Sequence, residues 1–570
     1  MTRIVRTGRR RRRHAVALAL AGVLLVTACG GDDDDDSSPD TTAAQGGADT
    51  TSGSTPGSTA APGTSGPEGE LVVDLATFGS ENFIVPLGTE QDSTYVYLTN
   101  EPLVYLQHET LEFMPGLAES WTVSPDGLSW TFNLRSGVQF HNRDGSEAGE
   151  FTSADVKFTI ETAMSTNSTW YALSTWQAVL SDIQTPDPQT VVINLKAPYP
   201  GLIGDVSSSV GGLSIQSKAH IEAVGIEAAL TDPVGTGPYV LKDQQRGASM
   251  TFEALPEHWR VVPEFQTITL NLIADETTRL ANLETGSADI VQLSGSSLPE
   301  LGSDVRTQQT PDAWTSHFFP GGMYFDRAEY VKVPYEDARV RKAMALAIDR
   351  EALAETLYGG AAVPATGWGI YSFSNELTPP EFDPEEAKRL LAEANWPSDY
   401  EITIWVQPSP QLGDTELLSE AIAGMLADVG IKSKLVPIDF AQAQQITSEF
   451  KTAGIFTPFA GRFWFDPQPA WNVLFHSGSL YQSFYSEKMD QLLDELAATN
   501  DPDERIAKQK EIHHYMIDEE MLTIPLVTGT SVYGLSGDVG EWPALRGATP
   551  LYLEYTTHAD STGTFRLFEP

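Results

Sequence analysis

Cysteine is almost absent from this chain: Cys29 is the only one in 570 residues. No disulfide can close within it, so a body of this length is held by packing and hydrogen bonds. Positive charge is also scarce, with 35 Lys and Arg against 78 Asp and Glu and a formal net charge of −43. Such an acidic surface repels phosphate backbones and anionic headgroups, which excludes nucleic acid and a broad membrane face as partners. Beyond residue 28 no apolar run reaches the roughly 18–20 residues that span a bilayer. Signatures of catalysis are missing too. There is no HExxH, and His513 and His514 are adjacent, on different faces of a helix, where they cannot share a zinc ion. No serine lies in a G-x-S-x-G elbow between a strand and a helix. The glycines of "GTGPY", Gly235 to Tyr239, are followed by a proline, so no helix N-terminus is offered to a phosphate. The expectation is no catalytic residue, no metal and no cofactor.

What is present begins with the leader. Arg3, Arg6 and Arg9 to Arg13 precede the uncharged stretch Ala15 to Ala28, too short to span a membrane and read as the apolar core of an export signal, residues 1–28. The small residues of "VTA" directly before Cys29 match a bacterial lipobox, in which the thiol is acylated and the cysteine becomes the new N-terminus. Cys29 is therefore the expected lipidation site. From there to Gly69 the chain is Asp, Ser, Thr, Gly and Pro with hardly an apolar side chain larger than alanine. It cannot offset its ordering entropy by burial, so residues 29–69 read as a disordered tether. The body, 70–570, is then held by lipid at the outer face of the cytoplasmic membrane or in a periplasm, with the export route, Sec or twin-arginine, left open.

Within the body, strand alternation and helical periodicity are interleaved. "SWTFNLR" puts Trp130, Phe132 and Leu134 on one face of a strand, and "TITLNLI" and "ITIWVQ" behave alike. "DARVRKAMALAIDREALAETLYGG" spaces Val340, Met344, Ala347 and Ile348 as a helix does, with Asp337 as N-cap and Gly359 and Gly360 as the stop. Asp383 and Asp501, each followed by proline, cap two more. Some 500 residues exceed one core, so an α/β protein of several lobes is expected.

The segment "PGLAESWTVSPDGLSWTFNLRSGVQFHN", Pro115 to Asn142, resembles the family 5 extracellular solute-binding proteins, the dipeptide, oligopeptide and nickel-binding group of ABC importers. "NEPLV" at Asn100, "FTSADVKFTIE" at Phe151, "DPVGTGPYVL" at Asp232, "ADETTRLANLETGSADIV" at Ala274, "DARVRKAMALAIDREAL" at Asp337 and "EKMDQLLDEL" at Glu487 follow in the family's order. The resemblance implies a periplasmic-binding-protein-like fold of the cluster C type, two main lobes closing on a cleft with a third inserted lobe. Lobe I would take about 70–110, 231–330 and 534–570, lobe II about 111–230 and lobe III about 331–533. It also implies a monomer without enzymatic activity that captures a small solute, a di- or oligopeptide first, and hands it to membrane permease subunits with associated ATPases. An oligosaccharide or a chelated metal is the alternative cargo. A secreted hydrolase and a chemosensory or chaperone use of the fold are alternatives of other classes.

In peptide binders of this family an aspartate takes the ligand ammonium, within a stretch to which "RFWFDPQPAW", Arg462 to Trp471, is similar. With the prolines aligned, that aspartate falls on Phe465, and Asp466 is displaced by one residue. Three readings stand: Asp466 still meets the amine; Trp464, Phe465 and Trp471 form a stacking surface for a sugar or aromatic group; or Asp466 starts a turn and the rings are core. Further candidate ligand contacts are Trp368 and the loop Gly79, Ser80, Glu81 and Asn82 after the first strand.

Overall fold

The computed structural model describes residues 66–561 apart from 108–109, 111, 210, 303–304, 324–330, 370–372, 408, 410–411, 413–414, 462–465, 478, 480–483 and 544–550. The leader, Cys29 and the tether therefore lie outside the described residues. Among the described residues no helix is long and apolar enough to cross a membrane.

One body grows around the first strand, Glu68–Leu75, whose Leu71, Val73 and Leu75 alternate into the core. It pairs in parallel with Phe265–Leu272 and Ile290–Leu293, and Phe265–Leu272 continues antiparallel to Ser249–Ala254 and then Tyr239–Gln245. The inward faces meet in a cluster with Tyr95, Leu241, Phe252 and Ile268. Here Gly235 and Gly237 allow a close backbone approach: a Cβ on Gly235 would stand 1.9 Å from Thr99 O, and one on Gly237 2.5 Å from Leu98 O. The return of the chain after residue 550 is tied to this body by Arg260, which donates to Glu101 at 2.7 Å, to Glu554 at 3.3 Å and to the Tyr555 hydroxyl. Burial alone would raise the pKa of Glu101, but His258 and Arg260 outweigh it and bring the carboxyl down to about 2.

A second body is a four-stranded antiparallel sheet, Ala118–Val123, Ser129–Leu134, Thr190–Leu195 and Leu180–Asp187 in spatial order. Trp130, Phe132 and Leu134 point into its core as their alternation requires, against Val156 and Ile160 of the helix Ser153–Ala163. That helix begins with a capping box in which Thr152 and Asp155 bond reciprocally. Arg135 binds Gly116 O at 2.8 Å and approaches Glu119 at 3.9 Å, and Asp126 accepts from Ser124.

The third body holds the strands Glu401–Val406, Lys432–Pro437 and Ile455–Gly461 among helices that start where the sequence places their caps. Asp337, Asp383 and Asp501 each accept backbone N–H groups of the first turn, but the single helix expected from Asp337 to Gly359 is two, Ala338–Leu346 and Arg350–Tyr358, the second capped by Asp349 and ended by Gly359 at φ 57°. The apolar faces of Ala338–Leu346, Thr415–Asp428 and Glu487–Ala498 fill this core.

Two long strands, Arg306–Pro320 and Ile524–Leu535, run from the first body into the third and make one mixed sheet of both. Their antiparallel register is continuous from Arg306↔Leu535 to Thr310↔Ser531, shifts before Trp314↔Gly529, and shifts again before His317↔Pro525. At the first shift Asp312 has φ 55°, and Gly529 leaves room for the Trp314 indole, which a Cβ would meet at 2.0 Å. The ladder is thus weakest at residues 311–313 and 529–531. The crossings anticipated at 330/331 and 533/534 do not coincide with these breaks: Ile524–Leu535 runs unbroken through 533, and 324–330 lies outside the described residues.

Candidate functional site

Asp466 opens the turn into the helix Gln468–Phe475, accepting Gln468 N–H at 3.0 Å through Oδ1. Its other oxygen, Oδ2, receives both Nε (3.0 Å) and Nη2 (2.5 Å) of Arg505, and Gln509 Nε2 stands 3.4 Å from Oδ1. Arg505 also binds Leu496 O at 2.6 Å, Thr499 O at 3.1 Å and the Gln468 side chain. The side chains of this pair are 6 % and 8 % exposed. A carboxylate has about four acceptor positions, and here all are occupied from within the protein. Asp466 is thus the turn-forming residue of a buried ion pair.

Trp471 is fully buried in the core of the third body, because it lies on the inner face of that same helix with Phe475. In this structure it offers no open stacking face. Trp464 and Phe465 lie outside the described residues.

Trp368 is 2 % exposed. It covers one face of the paired strands Arg306–Pro320 and Ile455–Gly461, where His317, Phe319 and Phe459 project alternately. Gly461 makes the slot for it, since a Cβ there would be 3.1 Å from the indole. Phe475 closes the layer from the helix side, edge-on to Trp368 at 6.2 Å and stacked on Phe319 at 6.0 Å. Phe459 remains 42 % exposed, so the aromatic layer reaches solvent at one edge. His317 bonds Thr523 Oγ1 and Gly367 O, and burial pushes it down to about 3. Burial likewise lowers His513 to about 4, so both imidazoles are neutral at physiological pH.

Buried side-chain polar atoms without a partner in the protein occur at several places among the described residues, five of them at Trp368 and after the start of the helix Gln468–Phe475. These five are Trp368 Nε1, and, along one short run, Trp471 Nε1, Asn472 Oδ1, Ser477 Oγ and Ser479 Oγ. Native proteins leave few such groups unmet, and ordered water is a common partner for them.

The loop Gly79–Asn82 contrasts with this. Asp92, itself fully buried, accepts Ser80 N–H at 2.8 Å, Glu81 N–H at 3.1 Å, Thr89 N–H at 2.7 Å and the Tyr95 hydroxyl at 2.7 Å. Gly79 is required by its φ of 72° and by Asp92 Oδ1, which a Cβ would meet at 2.7 Å. Asn82 donates to Leu87 O and Glu81 Oε1 accepts from Gly247 N–H, leaving Glu81 Oε2 as the loop's unpartnered atom.

The second and third bodies face each other near Asp466. The turn at Gly127 lies against Asn500, whose Oδ1 is 3.1 Å from a Cβ placed there. Asp205, 3 % exposed, accepts from Trp176 Nε1 at 2.7 Å, from the Tyr199 hydroxyl at 2.8 Å and from the Tyr171 hydroxyl. Burial pushes its carboxyl up to about 6, against these three donors, and the charge of Asp466 adds to the rise. Neither Arg505 nor Asp205 could be picked from the sequence, because Arg505 meets Asp466 across 39 residues and Asp205 meets Tyr171 across 34, with no local spacing to announce either.

Comparison with known proteins agrees with this architecture. Residues 112–482 match the family described as bacterial extracellular solute-binding proteins, family 5, middle region. The chain is 26 % identical over 462 residues to heme-binding protein A of Haemophilus influenzae, covering 76 % of this chain and 82 % of that one. It is 25 % identical over 461 residues to the dipeptide-binding protein of Escherichia coli, with coverages of 76 % and 84 %. Its fold superimposes on the periplasmic binding protein DppA of Helicobacter pylori, solved with the peptide STSA, at a TM-score of 0.69 and 21 % identity over 87 % of this chain and 99 % of that one. The α/β fold is thus of the periplasmic-binding-protein type, and the chain belongs to the bacterial extracellular solute-binding proteins of family 5.

Proposed function

We propose that this chain is the lipid-anchored receptor of an ABC importer, binding a di- or oligopeptide in a cleft between lobes I and III and presenting it to a membrane permease. The observation that carries the reading is the pair of strands Arg306–Pro320 and Ile524–Leu535, which join the two bodies and lose register together at 311–313 and 529–531. A ladder interrupted at one level bends there at least cost, so lobe III can turn on lobe I about a bound solute. Lobe II, about 111–230, rides with lobe I. Closure needs only a ligand with higher affinity for the shut form. The cargo class is supported by two similar proteins, the dipeptide-binding protein of Escherichia coli and DppA of Helicobacter pylori, solved with the peptide STSA.

In this reading Cys29 carries the lipid, residues 29–69 are the tether, and the body works outside the cell as a monomer that turns over no substrate. The test is a thermal-shift screen of the full chain against tripeptides, oligosaccharides and metal chelates, since a ligand raises the melting temperature by mass action. A shift with peptides is the expected result. A shift with saccharides or chelates alone moves the cargo class, and hydrolysis of a shifting compound overturns the receptor role.

A further inference from the structure

We infer that lobe II is the stop on which lobe III comes to rest, the turn at Gly127 meeting Asn500 in the shut form and parting from it in the open one. This rests on the closure reading and deepens it by placing a latch outside the cleft between lobes I and III.

The two sides of lobe II are built differently. Toward lobe I it is bonded at many points: Thr169 N–H donates to Pro86 O at 2.9 Å, Ser208 N–H to Val104 O at 3.0 Å, and Ile215 N–H to Glu101 O at 2.9 Å. The Tyr552 hydroxyl donates to Ser208 Oγ at 2.8 Å, and Asn100 Nδ2 to Ile215 O at 3.1 Å. Most of these groups are buried, where breaking a bond strands two polar atoms, so lobe II does not part from lobe I. Toward lobe III the contact is one of van der Waals surfaces. A Cβ on Gly127 would stand 3.1 Å from Asn500 Oδ1 and 3.1 Å from Pro198 Cβ. Such a contact opens without stranding a polar group.

Both faces are stiffened from behind. Gly127 is buried although Pro125 and Asp126 beside it are exposed, because Pro198 and Asn500 lie over it. In lobe II, Pro198 leads into Tyr199, whose hydroxyl is fixed on Asp205 at 2.8 Å beside Tyr171 and Trp176 Nε1. In lobe III, Asn500 sits between Thr499, whose carbonyl accepts from Arg505 Nη1 at 3.1 Å, and Asp501, which caps the helix Pro502–His513. Beyond burial, the charge of Asp466 adds to the raised pKa of Asp205, Tyr171 and Tyr199, so the two anchors stand face to face across the gap. Close-packed backing on each side resists compression while the joint at 311–313 and 529–531 bends. A stop outside the cleft sets the closed angle independently of what fills the cleft, so solutes of different bulk present one shape to a permease.

The experiment uses the full chain with Gly127→Cys and Asn500→Cys in a Cys29→Ser background, so that the new pair are the only thiols. The Cβ position at Gly127 is 3.2 Å from Asn500 Cγ, within the reach of a disulfide. Mild oxidation should cross-link the folded protein, and small-angle scattering without ligand should give a smaller radius of gyration than the reduced form has. A tripeptide library should raise the melting temperature of the reduced form and not of the oxidised one, whose cleft is shut. No cross-link in the folded protein, or equal radius and equal peptide shift in both forms, overturns the inference. Failure of peptides to shift the reduced form and the parent sinks the peptide reading alone, since the cross-link and the radius need no ligand. Asn500→Trp is the second variant, because it leaves Gly127, with its φ of 69°, as it is. With the circular dichroism of the parent, it should wedge the gap, weaken the library about tenfold and enlarge the radius of the peptide-bound form. Parental affinity and radius in this variant overturn the inference.

Discussion

The loop Gly79–Asn82 and the run Trp471–Ser479 are the two stretches that a search for ligand contacts picks out, and they use their polar atoms in opposite ways. In the loop, Asp92 gathers the N–H groups of Ser80, Glu81 and Thr89 and the Tyr95 hydroxyl, so a polar sequence is turned inward and consumed by its own fold. The run looks apolar, yet Trp471 Nε1, Asn472 Oδ1, Ser477 Oγ and Ser479 Oγ are buried and unbonded. Polarity of sequence is therefore a poor guide to which polar atoms a fold leaves without a partner. Asp466 sits at the start of the second stretch but behaves like the first, since every acceptor position it has is filled.

The largest effect should come from breaking that pair. Asp466→Ala strands a buried guanidinium and is expected to cost about 3–5 kcal/mol in urea unfolding. Asp466→Leu combined with Arg505→Met should recover most of it, because an apolar pair of similar volume needs no counter-charge. If Asp466→Ala unfolds like the parent but no longer binds peptides, the carboxylate belongs with the open valences and the comparison fails. Next in size is Asp92→Ala, which leaves several buried donors of the loop unmet and should cost roughly 2–3 kcal/mol while peptide affinity holds. Lost affinity at full stability would make the loop a binding element after all.

Much of the framework was legible in the sequence because its causes are local. The alternation of Trp130, Phe132 and Leu134, the Asp337, Asp383 and Asp501 caps and the stop at Gly359 depend on neighbours within one or two turns. The role of Gly237, close approach to Leu98 O, depends on a neighbour far along the chain and is not read from spacing. The site was less legible. Asp466 was recognisable as a residue of consequence, but its partner Arg505 lies on another helix, and no spacing rule joins them. Trp471 could be read as a stacking platform until the helix showed which face was inward. Unmet valence leaves no trace in a sequence at all, since it depends on what fails to arrive.

A smaller effect concerns pH, and it compares two buried carboxylates. Asp205 is met by neutral donors alone and titrates near 6, above the usual 3.8, so the folded state binds its proton more tightly than the unfolded chain does. Its contribution to stability is full below pH 3.8 and is lost as the pH rises through 6. Glu101, paired with Arg260, has the opposite sign: held near 2 against an ordinary 4.5, it contributes stability above pH 4.5 that is lost as the pH falls through 2. Melting curves across pH 2–7 should show the Asp205 slope vanish in Asp205→Asn and the acid limb soften in Glu101→Gln. A decline between pH 4 and 6 that persists in Asp205→Asn would assign it to other groups.

The smallest expected effect is the most telling. Ser477→Ala and Ser479→Ala each delete a hydroxyl that has no partner in the protein, so no internal hydrogen bond is lost and a desolvation penalty is relieved. Stability should stay within about 0.5 kcal/mol of the parent or rise slightly, whereas a serine that bonded like Ser80 would cost about 1 kcal/mol. A variant destabilised by that much would show that the run is ordinary core, with its hydrogen bonds closed by water, and would erase the distinction between the two stretches.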